Sequence, residues 1–445
     1  MSRGSGGRAL APLETAEVVS LAHDGRGVAK IDGKAVFVAG ALPGEQVTLR
    51  RTRRQRSHDE ARLEAVLRPS ADRVEPPCAH YGVCGGCALQ HLDSAAQIAA
   101  KHRQLGEELS RIGQVVPGRW LEPLTAATLG YRRRARLGAR YVDNRGKVLV
   151  GFREREGTLI TDVSHCAVLD PAVADLPGAL AVLFTGLAAR DRLPQVEISV
   201  GEELPVLVLR HLVPLGEEDL EQLRRFATLH GIEWWLQPVG LDSIAPLNPL
   251  APRELHYTLP EPALRLAFQP LDFIQVNGPL NQAMVGHALA QLEVRPEDSV
   301  LDLFCGLGNF TLPLAQVAAE VHGVEGDLGL VTRARANAIA NALTNVTFSV
   351  ANLFEPVVGL PWAQRRWDKV LLDPARAGAR EVLPAVVAAK PTRIVYVSCH
   401  PGSLARDAGI LVHELGYELT AAGVMDMFPH TGHVESIAVF EPHGH

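Results

Sequence analysis

Two rhythms of apolar and polar positions divide the chain. From Glu17 to about Val66, short alternating runs (Glu17-Val-Val-Ser-Leu, Gly27-Val-Ala-Lys-Ile, Ala35-Val-Phe-Val-Ala, Glu45-Gln-Val-Thr-Leu) are separated by Asp24-Gly25, Asp32-Gly33 and Pro43-Gly44. Asp-Gly between such runs signals hairpins, so a small all-β barrel is expected over residues 11–69. Asp93 to Ile112 carries helical spacing, and residues 158–262 continue as β/α segments with Pro-rich turns around 246–252. From about Leu264 onward strands and helices alternate. A helix over Leu280–Leu292 precedes strands at 299–303, 320–325, 346–350, 367–372 and 393–398, with helices at 309–318, 328–342, 380–389 and 402–415 between and after them. Strands spaced by helices of this size predict a parallel, doubly wound sheet. The last two runs, 417–424 and 434–440, have no helix between them and are expected to pair as an antiparallel end hairpin.

The strand–turn–helix at Ser299 carries the first chemistry. Its apolar run ends in Asp302, turns through Gly306 and Gly308 and continues from Asn309 into a helix. Glycines let a backbone approach a ligand, and a helix N-terminus offers free N–H groups. The next strand ends in Glu325, placed to hold ribose hydroxyls in a doubly wound sheet. A nucleoside-bearing cofactor is implied. A NAD site would have a third glycine where Thr311 stands; the loop instead resembles D-x-F-x-G-x-G, the S-adenosylmethionine (SAM) loop of class I methyltransferases. Further strand ends supply Asn352, Asp373 and Cys399, where ligands of such sheets bind.

Composition and charge add the partners. At 445 residues the chain exceeds one core, so several domains are expected. It has no apolar run able to span a membrane and no signal segment, which reads as cytoplasmic. The net charge of −6 hides an asymmetry, since the first third is rich in Lys and Arg and the remainder in Asp and Glu. A basic front joined to an acidic back suggests a polyanion-binding part attached to a catalytic one. Arg50-Arg51-Thr-Arg53-Arg54-Gln-Arg56 would track phosphates, and Gly130-Tyr131-Arg132-Arg133-Arg134-Ala135-Arg136 reads as a basic strand with Tyr131 as a candidate stacking residue. Residues 1–10 are expected to be disordered.

Cys78, Cys84 and Cys87, spaced C-x5-C-x2-C in a Gly/Pro loop, signal a metal or cluster site, with Cys166 the available fourth thiol. Spacing does not separate zinc from iron–sulfur. Val397-Ser398-Cys399-His400-Pro401 places a thiol at a strand mouth, beside Leu372-Asp373-Pro374-Ala-Arg376. A nucleophilic thiol suits a carbon acceptor: thiolate addition to C6 of a pyrimidine turns C5 into a nucleophile, and a base must then remove the C5 proton. Glu435 is the expected base, with His430 and His433 as alternatives in Phe428-Pro-His430-Thr-Gly-His433-Val-Glu435.

Together these motifs resemble the RNA uracil-C5 methyltransferases. The barrel resembles a TRAM domain, and having both barrel and cysteine cluster makes the chain most similar to the RlmD type, which acts on 23S ribosomal RNA. The resemblance implies three parts: a TRAM RNA-binding barrel (11–69), a central α+β domain with the cluster and an RNA-binding surface (70–262), and a class I SAM-dependent methyltransferase domain (263–445). It implies a four-iron, four-sulfur cluster on Cys78, Cys84, Cys87 and Cys166, and SAM contacts from Gln275, Phe304, Asn309, Glu325, Asn352 and Asp373. It makes Cys399 the nucleophile, Glu435 the base, and a flipped-out loop uridine of 23S rRNA the substrate, with no obligate protein partner. His400 departs from the family, which usually has Asn there. The alternatives left open are a cytosine-C5 RNA methyltransferase and a non-catalytic RNA-binding iron–sulfur protein of the same fold.

Overall fold

The computed structural model describes residues 11–444 except 156, 250–252 and 262. The expected disordered start and the end of the Pro-rich stretch 246–252 therefore lie outside the described residues. The chain folds into two compact units: residues up to Ala100 together with His430–His433, and Lys101–Pro429 together with Val434 onward.

In the first unit, strands β1 (Leu13–Leu21), β2 (Gly27–Ile31), β3 (Lys34–Ala39), β4 (Gln46–Arg54) and β5 (His58–Arg68) close into a barrel in the order β1-β2-β3-β5-β4. Alternation sends Val18, Ala29, Val36, Val38, Val47 and Leu49 inward, all fully buried, and closure leaves no sheet edge exposed. The arginine row of β4 divides by the same alternation and by pairing. Arg51 donates to Glu14 (2.8 and 2.9 Å) and to Asp59 (2.6 Å), and Arg50 donates to Glu64 (3.3 Å). Hydrogen bonds from Lys34 and Arg51 hold the Asp59 carboxyl down at about 2. Arg53, Arg54 and Arg56 are exposed.

Helix α1 (Ser94–Glu108) ends in one wide turn, Leu109–Gly113, closed by Gln114 at φ 53°. In the second unit a central sheet orders β12-β11-β10-β9-β7-β8, from β7 (Arg134–Val142), β8 (Lys147–Gly151), β9 (Gln195–Val200), β10 (Pro205–Arg210), β11 (Glu233–Gln237) and β12 (Ala245–Pro246). Helices α2 (Leu176–Gly186) and α3 (Glu217–His230) cover it, with Phe184 and Phe226 against the buried Trp234 at 6.3 and 5.9 Å between rings. A two-stranded ribbon, β13 (Leu255–Pro260) and β14 (Ala263–Phe268), follows.

The last sheet positions the site. It is built from β15 (Ser299–Leu303), β16 (Glu320–Glu325), β17 (Val346–Val350), β18 (Lys369–Leu372), β19 (Arg393–Ser398), β20 (Tyr417–Met425) and β21 (Glu435–Pro442), together with the short β6 (Arg119–Trp120). Their order is β17-β16-β15-β18-β19-β21-β20-β6. The five strands from β17 to β19 are parallel, and β21 runs antiparallel between β19 and β20. The expected parallel sheet and end hairpin are both present, and the far edge of β20 pairs with residues 119–120 from well upstream. The helices of this layer are α4 (Gly278–Leu292), α5 (Thr311–Ala315), α6 (Leu328–Ala340), α7 (Leu383–Ala388) and α8 (Pro401–His413). α8 packs on the wide turn after α1 at backbone distance: a Cβ on Gly113 would lie 2.4 Å from the Ala405 carbonyl oxygen, so only glycine fits.

Lys101 anchors the end of β20. Its ammonium donates to Asp426 Oδ1 (2.6 Å) and to the Phe428 carbonyl (3.0 Å), with Lys101 and Asp426 only 3% and 5% exposed. Burial alone would push the Lys101 pKa down, and Asp426 opposes it. Lys101→Met, which strands a buried carboxylate, should lower stability in denaturant unfolding by about 3 kcal/mol, while adding Asp426→Leu should restore most of the loss.

Candidate active site

The glycine turn is built for close approach. Gly306 and Gly308 have φ of +54° and +97°, and a Cβ on Gly306 would meet nothing within 4 Å, so its outer face is open. Phe304 also has positive φ (64°) and packs its ring 5.6 Å from Phe354. Thr311 Oγ1 donates to Asp302 Oδ2 at 2.5 Å, which explains a threonine where a dinucleotide motif has glycine. The other oxygen, Oδ1, is buried without a partner. Burial first, then the nearby Asp373 and Glu325 charges, pushes Asp302 up to about 8, against the Thr311 bond.

The other candidate cofactor residues are held in place by backbone and side-chain hydrogen bonds. Glu325 receives Gly306 N on Oε2 (3.1 Å) and Gly326 and Asp327 N on Oε1 (2.6 and 3.1 Å). Asn352 Oδ1 accepts from Phe354 N (3.1 Å), and Asn309 exchanges hydrogen bonds with Asn281 (2.9 and 3.0 Å) and accepts from Tyr257 (2.8 Å). Gln275 is buried in a segment fixed from three directions. Arg333 donates to Asp272 (2.5 Å), Arg133 Nε to the Gln275 carbonyl (2.9 Å), and Asn277 caps α4 by accepting from Leu280 N (3.1 Å). Carboxylate, carboxamide and aromatic groups around an open glycine turn suit the hydroxyls, base and cationic sulfonium of SAM.

Beside them lie the thiol and two acids. The antiparallel ladder of β19 and β21 pairs Ser398 with Ser436, and Ser436 Oγ donates to the Ser398 carbonyl (3.2 Å). One residue beyond this pair on each strand stand Cys399 and Glu435, which register therefore makes opposite neighbours. Asp373 follows the end of β18, the parallel neighbour of β19. Burial pushes all three toward their protonated forms: Asp373 to about 7, Glu435 well above the usual carboxylate range with Asp373 adding to it, and the Cys399 thiol to about 11 with Glu435 and Asp373 adding to it, against Arg376. The site thus gathers groups able to accept and return protons, and it favours any ligand that brings positive charge.

Several sequence expectations are redirected. Tyr131 is 4% exposed and donates to the Pro429 carbonyl (3.2 Å), so it is a core residue and not an RNA-stacking one. Burial explains this: the basic strand begins only at Arg134, and Arg133 turns inward over the Tyr257 ring, 4.5 Å from its centre. His430, an alternative base, is 5% exposed; its N donates to Gln97 Oε1 (2.9 Å) and its Nδ1 lies 3.2 Å from Gln97 Nε2. Its carbonyl accepts from Ala88 and Leu89 N (2.8 and 2.9 Å), so this histidine organises its own unit. Sequence reasoning passed over Phe354, Asn281 and Tyr257, which carry no local signal, and read Thr311 only as the missing third glycine of a dinucleotide motif.

The cysteines Cys78, Cys84 and Cys87 lie half-buried in the turn-rich loop after the barrel, and Cys166 is buried in the second unit. Among the described residues no group of three or more His, Cys, Asp or Glu side chains is arranged to hold a metal ion. The loop does offer one feature of a thiolate ligand: Gly86 N points at Cys84 Sγ, 3.4 Å away.

Comparison with known proteins gives a consistent answer. Residues 253–442 match the family described as tRNA (Uracil-5-)-methyltransferase, and residues 14–54 match the TRAM domain. The chain is 52% identical, over 97% of both chains, to a 23S rRNA (uracil(1939)-C(5))-methyltransferase RlmD of Xanthomonas axonopodis pv. citri. It is 50% identical to the protein of the same description from Bordetella parapertussis, over 96% of this chain and 93% of that one. The crystal structure of the Pyrococcus abyssi tRNA (uracil-54, C5)-methyltransferase in complex with S-adenosyl-L-homocysteine shares the fold, with a TM-score of 0.71 at 24% identity, over 96% of this chain and all of that one.

The raised thiol has a direct consequence. A thiol whose pKa is raised stays protonated to higher pH, so alkylation of Cys399 by iodoacetamide in the free protein should accelerate about tenfold per pH unit from 7 to 10. A rate already level at pH 7, read by peptide mass spectrometry, would contradict the burial described here.

Proposed function

The chain belongs to the RlmD family of 23S rRNA uracil-C5 methyltransferases, and on that premise we propose that it methylates C5 of the 23S uridine that its relatives' descriptions number 1939, with Cys399 as nucleophile and Glu435 as base. The observation that carries this reading is the Ser398–Ser436 register, which sets the thiol and the carboxyl opposite one another at the ligand edge of the sheet. SAM, held by Gln275, Phe304, Asn309, Glu325, Asn352 and Asp373, supplies the methyl group and a positive charge.

The residues act in sequence. The Cys399 thiol loses its proton, for which Asp373, the acid held nearest neutrality at about 7, is the fitting acceptor. The thiolate adds to C6 of the uracil and the electron pair moves to C5, which takes the methyl group from SAM as the S–CH3 bond breaks and S-adenosylhomocysteine leaves. Glu435 then removes the C5 proton, and the C6–S bond breaks to release 5-methyluridine and free Cys399. Because Glu435 is itself held toward its protonated form by burial, it must be ionised before elimination, and a bound cation beside it favours that form.

RNA is gripped by the barrel, through the exposed Arg53, Arg54 and Arg56. Cys78, Cys84, Cys87 and Cys166 would hold a four-iron, four-sulfur cluster, which would stabilise the cysteine loop; the Gly86 hydrogen bond to Cys84 and the scarcity of apolar residues in the loop support this. No helix among the described residues is long and apolar enough to cross a membrane. A ribosomal RNA substrate supports a cytoplasmic location.

The test is tritium release from C5-labelled uridine in unmodified 23S rRNA with SAM. Wild type should release tritium and Cys399→Ser should not. Glu435→Gln should lower release by about 10²–10⁴-fold while an RNA–protein adduct accumulates. Equal release from wild type and Cys399→Ser would remove the nucleophile assignment.

A further inference from the structure

The residue after the nucleophile does more than follow it in sequence. His400 is the N-cap of α8: its backbone is extended (φ −144°, ψ 100°) and its Nδ1 accepts from Ser403 N at 3.1 Å. Pro401, at the first helical position, has no N–H to offer, and the His400 carbonyl accepts from Leu404 N (3.2 Å) and Ser403 Oγ (3.0 Å). On the other side of Cys399, Ser398 Oγ donates to that same carbonyl (3.1 Å) and accepts from His400 N (3.2 Å). The nucleophile therefore lies inside a clasp from Ser398 to Ser403, and one bond of that clasp ends on a ring nitrogen.

We propose that His400 is a positioning residue for Cys399: its Nδ1 closes the N-cap of α8, and that cap holds the nucleophile in line. The inference rests on the Cys399 reading above. An imidazole accepts at Nδ1 only as the tautomer with its proton on Nε2. An acceptor is the group a helix N-terminus needs.

The ring is also confined in space. Glu108, at the end of α1, and the His400 ring crowd the same point beside Gly402: a Cβ there would lie 3.0 Å from Glu108 Oε2 and 3.1 Å from His400 Cε1, so glycine leaves the ring the room it needs to reach Ser403 N. Glu108 Oε1 in turn accepts from Gln104 (3.0 Å).

Asparagine can cap through its carbonyl oxygen and alanine cannot, which separates capping from the imidazole itself. The experiment is single-turnover methyl transfer from SAM to 23S rRNA at pH 8 for wild type, His400→Asn and His400→Ala, with SAM affinity measured in parallel. The Asn variant should match wild type and the Ala variant should be slower by about fivefold, the factor corresponding to one lost cap, with SAM affinity unchanged in both. An Asn variant as slow as the Ala variant, or full activity of the Ala variant, would overturn the proposal. Selective ¹⁵N-histidine NMR reads the clasp without substrate: His400 should show an unprotonated Nδ1 at pH 8. A proton on Nδ1 would sink the idea, and inactivity of every variant with the expected tautomer present would instead count against the methyltransferase reading.

Discussion

The last rung of the β19–β21 ladder is the constraint on which the site depends. Because side chains along a strand alternate between faces, a slip of one residue in that pairing would turn either Cys399 or Glu435 away from the other. The rung is secured twice, by the Ser398–Ser436 backbone pairing and by the Ser436 hydroxyl on the Ser398 carbonyl. β21 is in turn held between β19 and β20, with residues 119–120 covering the outer edge of β20. Lys101 and Asp426 then fix the chain where it leaves β20. The thiol and its opposing acid therefore sit on a cross-braced part of the sheet.

Burial gives the same site its chemistry. Asp302, Asp373, Glu435 and Cys399 are all displaced toward their protonated forms, with desolvation the largest cause in each. Three acids and a thiol this close cannot all be ionised in an apolar setting, so protons are retained until something cationic arrives. That ordering suits a reaction whose nucleophile must be unmasked only when its partners are in place.

The fold was legible where chemistry and spacing coincide. The parallel sheet, its glycine turn, the carboxylate ends at Asp302, Glu325 and Asp373, and the closing hairpin follow from periodicity in adjacent residues, and the barrel's first four strands from their Asp-Gly and Pro-Gly turns, whereas its fifth strand, His58–Arg68, was not among the runs read. What stayed hidden depends on distant partners. Nothing near Tyr131 in sequence indicates that its hydroxyl meets Pro429, nor that Arg51 is occupied by Glu14 and Asp59 while Arg53, Arg54 and Arg56 stay exposed. His430 looked like catalytic chemistry because of its neighbours, yet it organises Gln97 and the Ala88–Leu89 backbone. Thr311 was visible as a departure from a dinucleotide motif, but its bond to Asp302 needed the helix to be placed.

The central claim is that Cys399 forms a covalent bond to a uracil whose C5 proton must later leave. Replacing that proton by fluorine blocks elimination, so 23S rRNA containing 5-fluorouridine should, with SAM, trap the enzyme as a stable adduct. Peptide mass spectrometry should place a methylated fluorouridine on Cys399. An adduct on another cysteine, or none despite SAM binding and methylation of the unsubstituted RNA, would contradict the account.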